Sequence, residues 1–138
     1  YGTLSGNPLG KNPADVWEIP NVKNNHPEKT QHPCQFPIEL IERLVLSMTN
    51  PGDIVLDPYL GVGSALCAAV IHNRKGYGSD IMKEYLDIAE ERIKAAADGT
   101  LERRLMGTPV YQPTNGVKLA ETPDEFKKAR ESLFGSGF

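Results

Sequence analysis

The sequence has few cysteines and no arrangement of residues typical of a metal site. Its 138 residues contain two cysteines, Cys34 and Cys67, and no secretory signal precedes them. Two cysteines far apart in such a chain predict reduced thiols and a cytoplasmic protein rather than a disulfide framework. His26, His32 and His72 stand at no metal-ligand spacing with the cysteines, so we expect no metal site.

Long apolar runs and an excess of positive charge are also missing. No apolar stretch approaches the ~20 residues that a membrane-spanning helix needs, so we expect no membrane partner. The net charge is −3, whereas a dedicated nucleic-acid-binding domain is usually basic. This charge does not exclude that the chain is one part of a larger enzyme that acts on nucleic acid. The length suits one domain, and the start at Tyr1 rather than Met predicts a trimmed or incomplete product.

A strand, a glycine loop and a helix are predicted in the middle of the chain. The β-branched apolar run Ile54–Leu56 predicts a buried strand that ends at Asp57. Glycines follow at 61 and 63, and Ser64 opens an apolar segment that predicts a buried helix to about His72. This order suits a nucleotide-like ligand, although a tight turn that only packs the helix on the strand has the same pattern.

An acidic residue follows the next predicted strand. That strand covers Lys75–Ser79, and Asp80 follows Gly61 at close to the ~20-residue spacing at which an acid binds ribose in dinucleotide folds. A carboxylate can accept hydrogen bonds from both vicinal hydroxyls of a ribose. The alternative is a solvated aspartate that caps the helix predicted over Lys83–Ala97, and one residue can do both.

The whole pattern divides the chain into three segments. Residues 1–36 are rich in Gly, Pro and Asn and predict loops, with an extended piece over Asp15–Pro20 whose Trp17 packs against the sheet or a missing neighbour. Residues 37–99 predict the core, which starts with an amphipathic helix from Pro37 to about Met48. Residues 100–138 predict a loop-rich tail with one weak helix at 124–133.

The order of these segments resembles the C-terminal half of β-group site-specific DNA amino-methyltransferases, which methylate adenine N6 or cytosine N4. Residues 32–37, His-Pro-Cys-Gln-Phe-Pro, are similar to motif X of that family, HPTQKP. Residues 57–64, Asp-Pro-Tyr-Leu-Gly-Val-Gly-Ser, are similar to motif I, D-P-F-x-G-x-G-T, and residues 76–93 to motifs II and III. Phe36 replaces a lysine of motif X, and Ser64 replaces a threonine of motif I.

The resemblance implies an α/β fold, a partial Rossmann-like sandwich of an S-adenosylmethionine-dependent methyltransferase with parallel strands. It implies that the glycine loop lies near the amino-acid moiety of S-adenosylmethionine, Asp80 near the ribose, and residues 34–37 near the methionine end. The implied cofactor-binding residues are Cys34, Gln35, Phe36, Pro37, Asp57, Pro58, Tyr59, Gly61, Gly63, Ser64, Asp80 and Ile81.

The catalytic motif of that family, Asp or Ser followed by Pro-Pro-Tyr, does not occur in the sequence. We therefore expect the cofactor half of an enzyme that acts on DNA, with its catalytic half in another segment or a partner chain. Alone, this chain should not methylate DNA. An apolar edge and face should be exposed where the catalytic half belongs, and self-association is another use of such a surface.

Two other functions stay open at this point. One is a nicotinamide-binding Rossmann half, although Leu66 stands where the third glycine of G-x-G-x-x-G belongs. The other is a catalytically silent binding or assembly subunit that keeps the fold and needs a partner chain to act.

Overall fold

The computed structural model describes residues 16–110. Predictions for residues 1–15 and for a helix at 124–133 lie outside the described residues. The element order is α1 (Ile38–Met48), β1 (Ile54–Asp57), α2 (Ser64–Ile71), β2 (Lys75–Gly78) and α3 (Lys83–Ala97). All five predicted elements of the core are therefore confirmed, and β2 ends before Ser79. The predicted burial of β1 is wrong for the described residues: Ile54 and Leu56 are 65% and 70% exposed, because the described residues cover only one face of the sheet. Within residues 16–110, no helix has the length and apolar character required to cross a membrane.

The two strands pair in parallel, which confirms an α/β fold with parallel strands. The register joins Val55 to Gly76 and Leu56 to Tyr77, so alternate pairs project to opposite faces of the sheet. Val55 packs against the core. On the other face, Leu56 is 70% exposed and Tyr77 is 56% exposed. Parallel sheets normally have both faces covered, whereas the described residues cover only one face of this sheet.

Helix α2 lies at the centre of the covered side. It is apolar nearly all round, and its residues 64–69 are buried. It packs against α1, α3 and both strands. Cys67, Ala68 and Ala69 have no exposed surface, because side chains this small let the neighbouring elements approach closely.

Glycines are required where the covered side is tightest. A Cβ on Gly76 would lie 2.6 Å from Cγ of Leu66, so the strand has a glycine because the helix has a leucine. Dinucleotide-binding folds reverse this arrangement, with a glycine on the helix for close packing against the strand. Gly63 has φ +78°, and a Cβ there would lie 3.0 Å from Cβ of Ala89. The packing at Leu66 gives no support to the nicotinamide alternative.

Candidate functional site

A cavity of about 280 Å³ lies beside the loops that follow β1 and β2. We call it the donor cavity, after the methyl donor S-adenosylmethionine that the family resemblance implies. Three separate parts of the chain form it: the segment before α1, the glycine loop, and the residue at which the chain leaves β2. Its lining residues are His32, Cys34, Gln35, Phe36, Tyr59, Leu60, Gly61, Val62, Ser64 and Asp80.

Most of the residues that the resemblance implied line this cavity. Those brought together are Cys34, Gln35, Phe36, Tyr59, Gly61, Ser64 and Asp80.

The others lie elsewhere. Pro37 is buried directly before α1, and Gly63 faces Ala89. Asp57 accepts a hydrogen bond from the Tyr59 N–H at 3.0 Å. The carbonyl of Pro58 accepts a hydrogen bond from the Ser79 hydroxyl, and Ile81 is 98% exposed outside the cavity.

Asp80 joins the glycine loop to the turn before α3. Its carboxylate accepts hydrogen bonds from the Gly61 N–H at 2.8 Å and the Met82 N–H at 2.9 Å. The N–H groups of Met82 and Gly61 hold the pKa of Asp80 below its usual range, so it is ionised at neutral pH. Met82 is the N-cap residue of α3, and no side chain caps the first turn of that helix. A carboxylate has about four lone-pair sites, so Asp80 keeps acceptor capacity for a ligand.

Gly61 is required by its backbone and by a close neighbour. Its φ is +51°, a region that side-chain-bearing residues rarely adopt. A Cβ there would lie 3.3 Å from Nε2 of His32. The His32 ring packs edge-on against Tyr85, with ring centroids 4.6 Å apart, and its Nδ1 accepts a hydrogen bond from the Cys34 N–H at 3.2 Å. His32 therefore shapes the cavity wall, although sequence reasoning began the candidate set at Cys34.

Arg92 is a further residue that sequence reasoning missed. It is 8% exposed, and its guanidinium donates a hydrogen bond to the Val62 carbonyl and lies 3.4 Å from Oγ of Ser64. Burial lowers the pKa of Arg92. Ser64 in turn donates to the Phe36 carbonyl at 3.1 Å, which links the glycine loop to the segment before α1. The signal in the sequence is an arginine on the apolar stripe of α3, at three-residue spacing from Ala89.

A second cavity lies next to the first and has a different character. We call it the apolar groove; its volume is about 530 Å³ and it runs between α1 and β1. It shares Phe36 and Tyr59 with the donor cavity. Its lining residues are Phe36, Ile41, Leu44, Val45, Met48, Thr49, Ile54, Val55, Leu56, Asp57, Tyr59 and Ala65.

The donor cavity can bind and orient a small polar ligand. Asp80 provides a carboxylate acceptor, and Phe36 and Tyr59 add aromatic side chains to the lining. Burial raises the pKa of the Cys67 thiol to about 11, so that cysteine is a neutral residue of the core.

Comparison with known proteins agrees with this arrangement. Residues 3–91 match the family described as DNA methylase. The chain is 54% identical over 97 residues to the type II methyltransferase M.BglII of Bacillus subtilis, covering 70% of this chain and 27% of that protein. It is 43% identical over 100 residues to the type II methyltransferase M.ScaI of Streptomyces caespitosus, covering 70% of this chain and 33% of that protein.

Two further similarities come from a curated relative and a solved structure. The chain is 37% identical over 92 residues to the DNA adenine methyltransferase YhdJ of Escherichia coli K12, covering 67% of this chain and 31% of that protein. A DNA modification methylase of Thermus thermophilus, solved with S-adenosyl-L-methionine, matches at 41% identity and a TM-score of 0.45, covering 46% of this chain and 27% of that one.

The chain spans 27% to 33% of the length of these curated relatives. The family match runs through the segment before α1, the glycine loop and Asp80, which are the three parts that meet at the donor cavity. The chain therefore belongs to the DNA methylase family.

Proposed function

We propose that this chain is the donor-binding part of a site-specific DNA methyltransferase that transfers a methyl group from S-adenosylmethionine to adenine N6 or cytosine N4. The observation that carries the proposal is the convergence of residues 34–36, Gly61 and Asp80 on one cavity. The relatives named type II and DNA adenine methyltransferases support the reaction class.

The residues of the donor cavity fit S-adenosylmethionine. Asp80 has lone pairs left for ribose hydroxyls, and the glycine loop lines the cavity beside it, where the amino-acid moiety would lie. The volume of about 280 Å³ is at the lower limit of the ~300–1,000 Å³ usual for ligand pockets. Tyr59, which lines the cavity, is 87% exposed. We infer that the remaining wall of the pocket belongs to another segment of the enzyme.

Positioning is the contribution of this chain to the reaction. When bound, S-adenosylmethionine supplies a methyl group on a sulfonium, so the leaving group is already activated. The ionised Asp80 orients the ribose, and the Phe36–Ser64 hydrogen bond keeps the two sides of the cavity together. Reacting atoms have to be held about 3–3.5 Å apart in line, and such positioning can supply a large part of the rate enhancement.

The target base and the catalytic residues lie outside this chain. A base that is methylated on its exocyclic amine has to leave the duplex, and the Pro-Pro-Tyr motif that would hold it does not occur in this sequence. We infer that the complete enzyme, rather than this chain, contacts DNA. The net charge of −3 supports this, because Lys and Arg contacts to phosphate dominate DNA affinity. The exposed free thiol of Cys34 supports a cytoplasmic location.

The catalytic half of the same enzyme is the proposed occupant of the apolar groove. The chain spans only 27% of its 54% identical relative, so most of such an enzyme would lie beyond this segment. Leu44, Met48, Ile54 and Leu56 line the groove and are exposed, and an exposed apolar surface of this kind is typical of an interface. A second copy of this chain is the competing occupant.

Donor binding is tested by titrating the purified chain with S-adenosylmethionine and with NAD in a calorimeter. We expect heat of binding for S-adenosylmethionine alone, and its loss in Gly61→Ala. Gly99→Ala is the matched control, because Gly99 also has positive φ, at +73°, but lies in open space. Binding of NAD, or equal loss in both variants, would contradict the proposal.

Methyl transfer is tested by mixing the chain with the part of M.BglII that the match does not cover, labelled S-adenosylmethionine and duplex DNA. We expect label in DNA only when both parts are present. Donor binding without transfer in the mixture would identify the chain as a silent binding or assembly subunit. Sedimentation of each mixture distinguishes a complex of the two parts from a homo-oligomer.

A further inference from the structure

Three carboxylates are buried in and near the segment that forms one wall of the donor cavity. Glu28 is 3% exposed, Glu39 is 2% exposed and Glu42 is 1% exposed. Burying an ionised carboxylate is costly unless hydrogen-bond donors or cations surround it. The hydrogen-bond donors and cations around these carboxylates therefore show which segments of the chain the carboxylates connect.

Glu28 connects directly to the segment that forms one wall of the cavity. Its carboxylate accepts a hydrogen bond from the Ile38 N–H at 2.8 Å, and its backbone carbonyl accepts one from Nε2 of Gln35 at 2.7 Å. The Gln35 side-chain oxygen accepts hydrogen bonds from the Thr30 N–H at 3.0 Å and the Thr30 hydroxyl at 2.7 Å. Gln35 lines the cavity, so Glu28 fixes this wall from behind.

Residues 101–108, which follow α3, approach the same place; we call them the strap. The Arg104 N–H donates to the second oxygen of Glu28 at 3.3 Å. The Arg104 guanidinium donates to Glu39 and to the Thr108 carbonyl, and the Gly107 N–H donates to Glu39 at 3.3 Å. Glu39 is in the first turn of α1, directly after the cavity wall.

We propose that the strap is a positioning element for the donor site, in which Arg104 holds the cavity wall at residues 34–38. Its backbone N–H binds Glu28 and its guanidinium binds Glu39, so Arg104→Ala removes the second contact directly. The inference rests on the proposed function, because it assigns these residues to the binding of S-adenosylmethionine. The family match ends at residue 91, so it assigns no role to the strap.

The neighbouring Arg103 provides an internal control. Its guanidinium donates to both oxygens of Glu42 at 2.8 Å, and Glu42 also contacts His72 at 2.9 Å. The carboxylate side chain of this ion pair is 2% exposed, the same as the carboxylate side chain that pairs with Arg104. Glu42 lies one turn further along α1, and neither it nor Arg103 lines the donor cavity.

The experiment compares Arg104→Ala with Arg103→Ala in the 138-residue chain. Both changes remove a cation from a buried carboxylate, so both should lower the urea midpoint of unfolding. We expect Arg104→Ala to weaken binding of S-adenosylmethionine by roughly 3- to 30-fold, the range of coupling through contacts, with less than about a 2-fold effect for Arg103→Ala. Equal effects on affinity, or no effect of either, would overturn the proposal.

Two further measurements keep the test decisive. If Arg104→Ala does not fold, Arg104→Lys and Glu28→Gln retain part of the contacts, and each should weaken donor binding more than Arg103→Lys. Amide exchange reports on the wall without donor: exchange at Ile38 should accelerate in the Arg104 variants and not in the Arg103 variants. A chain that binds no donor would refute the proposed function, and the exchange rates would still support or overturn the role of the strap.

Discussion

The donor cavity and the apolar groove share Phe36 and Tyr59, yet they are built in different ways. At the donor cavity, polar groups such as Asp80 and Ser64 already have partners within the chain. At the groove, Leu56 and Met48 are 70% and 76% exposed. Hydrogen bonds within the chain can shape a ligand site in advance, whereas a broad apolar surface is buried only when a second body covers it.

The largest effect is expected on the covered side of the sheet. Gly76→Ala puts a methyl group against Leu66 and should cost about 1–3 kcal/mol of unfolding free energy, the usual range for overpacking. Leu56→Ala, on the uncovered side, should change it by no more than about 0.5 kcal/mol. Urea unfolding of both variants measures the difference. In the double variant Gly76→Ala with Leu66→Ala, the loss of unfolding free energy should be smaller than the sum of the losses in the two single variants. A loss equal to that sum would show that the two residues do not compete for space.

The next effect concerns Asp80, the carboxylate that we propose binds the ribose. Each carboxylate oxygen of Asp80 accepts one hydrogen bond, from the Gly61 N–H or from the Met82 N–H. Asp80→Asn turns one of these acceptors into an NH₂ group, so it should weaken binding of S-adenosylmethionine by roughly 10-fold or more. Asp87→Asn on α3 is the matched control, since within residues 16–110 that aspartate pairs with the exposed Lys83 alone. Calorimetric titration gives both affinities. Unchanged affinity in a folded Asp80→Asn variant would limit this residue to a structural contact.

A smaller effect is expected at the groove. Leu56→Ala should reduce complementation by the catalytic half by about fivefold, the cost of truncating one well-buried interface residue, while donor binding stays unchanged. The rate of DNA methylation at limiting concentration of the catalytic half measures this. If the variant lowers donor affinity as well, the two cavities are not independent.

The smallest effect is the acid dependence of stability. The folded-state pKa of Asp80 is lowered from 3.8, so its contribution is present above pH 3.8 and is lost as the pH falls through the lowered value. Wild-type stability should therefore fall more steeply below pH 3.8 than that of Asp80→Asn. Thermal unfolding between pH 2.5 and 5 compares the slopes, and parallel curves would contradict the assignment.

The sequence predicted the local elements and the three parts of the donor cavity. Periodicity within α1 and α3 and the β-branched run of β1 depend on near neighbours, so they can be read directly. Gly61 and Asp80 were expected in one site because the carboxyl ends of parallel strands meet at one edge of the sheet, and the family resemblance added residues 34–37. The bounds of α3, Lys83–Ala97, agree with the prediction for the same reason.

Only the tertiary structure decided which polar residues are buried and what they hold. Arg92 meets Val62 across 30 positions of sequence, and Arg104 meets Glu28 across 76, so no local pattern predicts either contact. The leucine of α2 faces the glycine of β2 because packing volume is shared between elements rather than set within one. By itself the sequence determined the helices, the strands and the residues suited to a donor; long-range contacts determined the scaffold that holds them.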